Sequence, residues 1–186
     1  MKIYIKNKKF KDKLIFENTE LNIKKGLNIL LGENGSGKST LLNMIYKKDV
    51  NFEGEIKVNG INIDEIEVSD YRNNYCNYIM QDNHLFKDLK VLENINILCD
   101  GYDEKELSVL VGKLFFSKVL SKNNKVKNLS GGEKQKLKII IGLLSKGKIL
   151  LIDELDNNLD QDSIENLVEY LKVVDKTIII ASHNEK

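Results

Sequence analysis

Arginine is nearly missing from this 186-residue chain, with Arg72 its only example. An enzyme that used its own arginine to neutralise phosphate charge would have one candidate, so that task falls to lysine, metal ions and backbone dipoles. A charge excess is missing too, since 29 basic residues face 28 acidic ones. That balance leaves no basic footprint for nucleic acid and no polybasic anchor for an anionic membrane. Cysteine is scarce. Cys76 and Cys99 stand far apart, in no metal-ligand or redox spacing. They read as free thiols in a reducing cytosol, buried as small hydrophobes. Long apolar runs are absent as well: Ile139 to Leu144 and Ile178 to Ala181 are among the longest, far short of the roughly 20 residues that cross a bilayer. The opening MKIYIKNKKF has lysines but no apolar stretch after them, so it is not expected to be a secretory signal. The expectation is one domain with a real core, no direct membrane span and no nucleic-acid partner. Any membrane part must come from another polypeptide.

What is present starts with Gly32-Glu33-Asn34-Gly35-Ser36-Gly37-Lys38-Ser39-Thr40. An apolar run, Leu27 to Leu31, precedes it, and Leu41, Leu42 and Ile45 follow at helical spacing. Strand, glycine-rich turn and helix in that order is the context of a phosphate-binding loop, and Gly32, Gly37, Lys38 and Ser39 fill its fixed positions. The glycines let consecutive N–H groups point inward at phosphate oxygens. The helix beginning near Lys38 adds its dipole and orphan donors. Lys38 places a compact positive charge on the β- and γ-phosphates, and the Ser39 hydroxyl can ligate Mg²⁺. An ordinary glycine turn before a helix would not carry the Lys-Ser pair in this register.

Around this loop the chain alternates between strand and helix signals. Residues 2 to 5 and 14 to 23 read as strands, with Phe10 in the loop between them. Phe10 can stack on an adenine ring or merely cover the sheet edge; spacing favours neither. Gly54 and Gly60 punctuate a strand pair, a short polar helix follows over 68 to 73, and a strand over 75 to 80 ends at Gln81. Ligands of open α/β sheets sit beyond the C-terminal strand ends, which places Gln81 near a nucleotide, unless it is an ordinary polar strand end. From 84 to 128 the spacing turns helical, and His84 at its start reads as a solvated surface residue.

Next comes Leu129-Ser130-Gly131-Gly132-Glu133 ahead of the helix-spaced Leu137, Ile140, Ile141 and Leu144, with Gly147 expected to end that helix. Serine and two glycines at a helix start form a second anion-receptive N-terminus. Ser130 and Glu133 also make a capping box, which leaves the paired glycines unexplained. The run 148 to 152 reads as a buried strand ending at Asp153-Glu154. Such a pair suits Mg²⁺ binding by the first residue and polarisation of a water by the second, or else caps the strand with two solvated charges. A helix over 161 to 174 and a strand over 177 to 181, delivering Ser182 and His183, complete the pattern.

Taken together these stations resemble the nucleotide-binding domain of the ATP-binding cassette (ABC) family over almost the whole chain. Residues 32 to 40 look like Walker A, 79 to 82 the Q-loop, 129 to 135 the signature motif, and 149 to 154 Walker B with its glutamate. Leu159-Asp160 looks like the end of the D-loop and His183 the switch histidine. The resemblance implies an α/β fold: a P-loop NTPase sheet core with an N-terminal antiparallel β subdomain and an inserted helical subdomain. It implies one domain over 1–186, with 1–83 and 129–186 as core and about 84–128 as the helical part. It also implies Mg-dependent ATP hydrolysis, with ATP and Mg²⁺ as ligands. Phe10 would stack on adenine, and residues 32 to 40 with Gln81 would bind the nucleotide. Ser39, Gln81 and Asp153 would manage the metal. Glu154 would be the base, with His183 on the γ-phosphate.

One chain carries one Walker A and one signature. The partners implied are therefore a second nucleotide-binding subunit, expected as a homodimer, whose Ser130, Gly131 and Gly132 close the site. A separate transmembrane permease subunit is implied too, its docking region resembled by 82 to 95, with a location on the cytoplasmic face of the membrane. The alternative is a soluble, non-transport ABC ATPase, for example in cofactor assembly. The sequence departs from the family at Leu155 to Asn158, at Lys136 and Lys138 where arginines are usual, and in stopping three residues past His183, which reads as a minimal or truncated domain.

Overall fold

The computed structural model describes residues 1–11, 13–80, 85–99, 101–121, 124–154 and 159–183. Gln81, His84 and residues 155–158 lie outside the described residues. The chain forms two compact units, Met1–Tyr78 with Gly147–Asp153 and Asp175–Lys186, and Ile79–Lys146 with Glu154–Val174.

The first unit contains two sheets. Strands β1 (Lys2–Phe10), β2 (Lys13–Asn22), β4 (Glu53–Val58) and β5 (Ile61–Asn62) make an antiparallel sheet in the order β2-β1-β4-β5. Strands β3 (Gly26–Leu31), β6 (Cys76–Ile79), β7 (Ile149–Asp153) and β8 (Thr177–Ser182) make the other in the order β3-β8-β7-β6. Both neighbours β3 and β7 run parallel to β8. Helix α1 (Lys38–Ile45) follows β3, and α2 (Val68–Asp70) leads into a π-helical turn, Tyr71–Tyr75. Ile3 and Ile5 of β1, Ile56 of β4, Leu41 to Ile45 of α1 apart from Asn43, and Leu151 and Ile179 share one core. Cys76 lies in that core, where burial pushes its thiol up to about 12, so it is an unreactive hydrophobe.

Three boundaries differ from the sequence reading. β1 does not stop at residue 5. It stays paired with β2 through Phe10 across a bulge at Lys8/Lys9. The next buried position after Ile5 is Lys8 rather than Asn7, across a register shift against β4, and its ammonium reaches Asp49 Oδ1 at 2.7 Å and the Asn51 carbonyl at 2.8 Å. The helix before Gly147 already ends at Leu144, and Gly147 serves a different purpose. A Cβ there would lie 2.6 Å from Asn77 Nδ2 and 3.0 Å from the Cys76 nitrogen, so close approach to β6 requires glycine. The polar helix expected over 68 to 73 is a single α-turn followed by the π turn.

The second unit holds α3 (Val91–Leu98), α4 (Glu104–Lys113), α5 (Ser117–Ser121), α6 (Gly131–Leu144) and α7 (Gln161–Val173). α4 packs on α5, α6 and α7, and α3 packs on α6. The helical spacing of Leu107, Leu110 and Leu114 becomes a buried stripe, joined by Val111 and Phe116. No described helix is long and apolar enough to cross a membrane.

Candidate functional site

The parallel sheet brings three strand ends into register. Leu31 of β3 pairs with Ser182 of β8, and Asp153 of β7 pairs with Ala181. The residues that follow, Gly32 onward and His183, therefore leave the same edge as Asp153. His183 is exposed on a bend directly after β8.

In the loop, Gly35 and Gly37 adopt left-handed φ values of 80° and 98°, which only glycine takes without strain. Gly37 is pinned further by β2, because a Cβ would meet Ile15 Cγ2 at 2.7 Å and Phe16 Cζ at 2.9 Å. Gly37 is the N-cap of α1, with no side-chain cap and no acidic residue in the first turn. The dipole and first-turn donors of α1 thus stay available to an anion. Lys38 Nζ donates to the Gly32 carbonyl at 2.6 Å and the Glu33 carbonyl at 2.9 Å. An ammonium has three donors, so one remains for a phosphate oxygen.

Ser39 Oγ donates to Asp153 Oδ1 at 3.1 Å, and the Tyr78 hydroxyl donates to Asp153 Oδ2 at 3.2 Å. A hydroxyl and a carboxylate side by side are hard oxygen donors that suit Mg²⁺, which keeps waters and phosphate oxygens in its remaining positions. Among the described residues there is no group of three His, Cys, Asp or Glu that could hold a metal ion. Burial, reinforced by the Asp153 charge, holds the Tyr78 hydroxyl well above its ordinary pKa, so it is a proton donor at neutral pH. Nothing local marks Tyr78: its partner lies 75 residues away, and alternation in a strand marks a face rather than a hydroxyl's target.

Glu154 directly follows β7 with φ of 61°. A left-handed glutamate is strained, a condition that concentrates at functional positions. Phe10 closes β1, pairs with Lys13 and is 62% exposed, which leaves its ring face open to stacking. Of the residues expected to bind nucleotide, Glu33, Asn34 and Ser36 are exposed in the loop, and Thr40 lies in the first turn of α1.

The other motif residues belong to the second unit. Ser130 caps α6: its Oγ accepts from Glu133 N at 3.2 Å while Glu133 Oε2 accepts from Ser130 N at 2.8 Å. Gly131 and Gly132 are the first residues of α6. Asp160 caps α7, accepting from Ser163 N at 2.9 Å and Ser163 Oγ at 2.8 Å. The Lys136 ammonium at 2.8 Å, with Ser163 behind it, holds the Asp160 carboxyl well below the usual range. Lys138 donates to the Met80 carbonyl at 3.3 Å. The two lysines that stand in for arginines are thus tied into their own unit. Arg72 caps the end of α1 instead, donating to the Tyr46 and Lys47 carbonyls.

A family profile described as ABC transporter matches residues 16–157. The lipoprotein-releasing system ATP-binding protein LolD of Treponema denticola is 32% identical over 184 residues, covering 92% of this chain and 81% of that protein. The macrolide export ATP-binding/permease protein MacB of Mannheimia succiniciproducens is 32% identical over 182 residues; the match covers 92% of this chain but only 28% of that longer protein. Among solved structures, that of an ATP binding subunit of an ABC transporter superposes with a TM-score of 0.81 at 23% identity, covering 98% of this chain and 78% of that one.

Proposed function

Because the chain belongs to the ABC transporter family and has its ATPase fold, we propose that it is a nucleotide-binding subunit. It hydrolyses MgATP to power transport through a separate membrane subunit, from the cytoplasmic face. One observation carries the chemistry: the Ser39 hydroxyl of the phosphate loop meets the Asp153 carboxylate at the sheet edge. Walker A and Walker B thereby converge where a phosphate-bound cation would sit.

Lys38, the loop amides and the α1 N-terminus hold the triphosphate, and the Phe10 ring stacks on the adenine. Ser39, Asp153 and Gln81 hold Mg²⁺, which when bound neutralises phosphate charge. Glu154 takes a proton from the attacking water as its oxygen forms a bond to the γ-phosphorus. The bond from that phosphorus to the β–γ bridging oxygen breaks, leaving ADP and phosphate. His183 donates to the γ-phosphate. The α6 N-terminus of a second subunit, with Ser130, Gly131 and Gly132, closes the site in a homodimer. We assign the chain as one cassette domain, with residues 84–128 as its helical subdomain.

The test is Glu154→Gln, which keeps side-chain length while removing the base. Phosphate release is expected to fall by 10²–10⁴-fold, roughly the contribution of a positioned base, while MgATP still binds and now traps a dimer visible by light scattering. A variant that releases phosphate at the wild-type rate shows the base to be elsewhere.

A further inference from the structure

Asp153 is held by two hydroxyls, one on each oxygen: Ser39 on Oδ1 and Tyr78 on Oδ2. Only the first belongs to the phosphate loop. The Tyr78 ring stands edge-on to Tyr46, with centroids 5.4 Å apart and planes at 71°. Tyr46 is the C-cap of α1 and is itself fixed. The Arg72 guanidinium lies 4.8 Å over its ring, and Arg72 donates to the Tyr46 carbonyl at 3.3 Å and the Lys47 carbonyl at 2.9 Å. The same helix therefore governs both contacts to Asp153. Ser39 in its first turn reaches Oδ1 directly, and Tyr46 at its end supports the phenol that reaches Oδ2.

The last torsion of an aspartate is broad and roughly two-fold, so a hydrogen bond on each oxygen restrains it more tightly than one alone. With Oδ2 tied to Tyr78, Oδ1 stays beside the Ser39 hydroxyl. We propose that Tyr78 is a positioning residue that pre-orients Asp153 for a phosphate-bound divalent cation, without touching that cation itself. Partners of this kind behind a metal-binding carboxylate typically contribute about 10–100-fold in metal affinity. The proposal rests on the MgATP reading of the site.

The experiment compares wild type with Tyr78→Phe, which retains the ring against Tyr46 and removes only the hydroxyl. Binding of fluorescent ADP is measured first in excess EDTA and then as a function of added Mg²⁺, with far-UV circular dichroism confirming the fold. Expected is an unchanged metal-free ADP affinity and at least a 10-fold rise in the Mg²⁺ concentration that gives half-maximal tightening. An unchanged Mg²⁺ midpoint overturns the proposal. So does a loss of metal-free affinity as large as the loss of metal-loaded affinity, because that marks general packing damage. If wild type itself shows no Mg²⁺-dependent ADP binding, the MgATP reading fails, a result distinct from either.

Discussion

Phe115 is a bulky residue in a conformation that suits glycine. It sits at φ 52° just beyond α4, where Phe115 N donates to the Gly112 carbonyl at 3.1 Å and Phe116 N to the Val111 carbonyl at 2.8 Å. That pair of bonds is a Schellman motif, whose left-handed position is usually glycine. A side chain there costs about 1–2 kcal/mol. The ring is 59% exposed, with the Lys136 ammonium 5.9 Å from its centroid, a contact worth about 0.5–1 kcal/mol at an exposed site. Comparing Phe115→Gly with Phe115→Ala removes the ring from both and isolates the backbone. Glycine relieves the strain but adds about 0.4–1 kcal/mol of unfolded-state entropy. The glycine variant is thus expected to be the more stable by about 1 kcal/mol in urea denaturation, and a glycine variant less stable than the alanine variant would show the turn to be unstrained. Glu154 shares the left-handed backbone, and Glu154→Gln leaves the strain of that backbone unrelieved.

Two helix N-termini, α1 and α6, are built in opposite ways. α1 begins at a glycine and keeps its donors uncommitted, whereas α6 begins at a serine whose hydroxyl is committed to a capping box. In the proposed dimer Ser130 faces a neighbour's γ-phosphate, but within its own chain it already contributes to folding. Ser130→Ala should therefore cost about 1 kcal/mol of stability without any nucleotide, as N-cap removal usually does. Unchanged unfolding would mean the box contributes nothing to the fold. At this scale the sequence was readable wherever a signal was local. Loop, helix starts and the strand ending in Asp153 follow from residues a few positions apart, and the helical spacing of 107–114 survives as a buried stripe. Legibility failed where a distant partner decides. β1 continues because Lys8 is neutralised by Asp49, 41 positions away, and Gly147 is glycine because of Asn77 rather than because a helix ends. Tyr78 escaped notice for the same reason.

For the molecule as a whole, assembly matters as much as chemistry. Its near-neutral charge supplies little repulsion between copies. Among the described residues β3 is an outer strand of its sheet, with β8 on one side only, and Ile29 and Leu31 on it are 56% and 53% exposed. Parallel strands are ordinarily covered on both faces, and an open apolar edge invites another strand. Purified protein is expected to self-associate with rising concentration in the absence of nucleotide. Ile29→Lys should suppress that association, as charged edge residues do; if light scattering for this variant rises as steeply as for wild type, the edge is not responsible. The outer strand thereby gives a biochemist a calibration problem. Particle mass would count two kinds of pair, the predicted one stitched along backbone edges and the proposed one closed around a nucleotide. Only a pair that disappears on removing MgATP, and survives Ile29→Lys, would measure the proposed ATP-bound dimer.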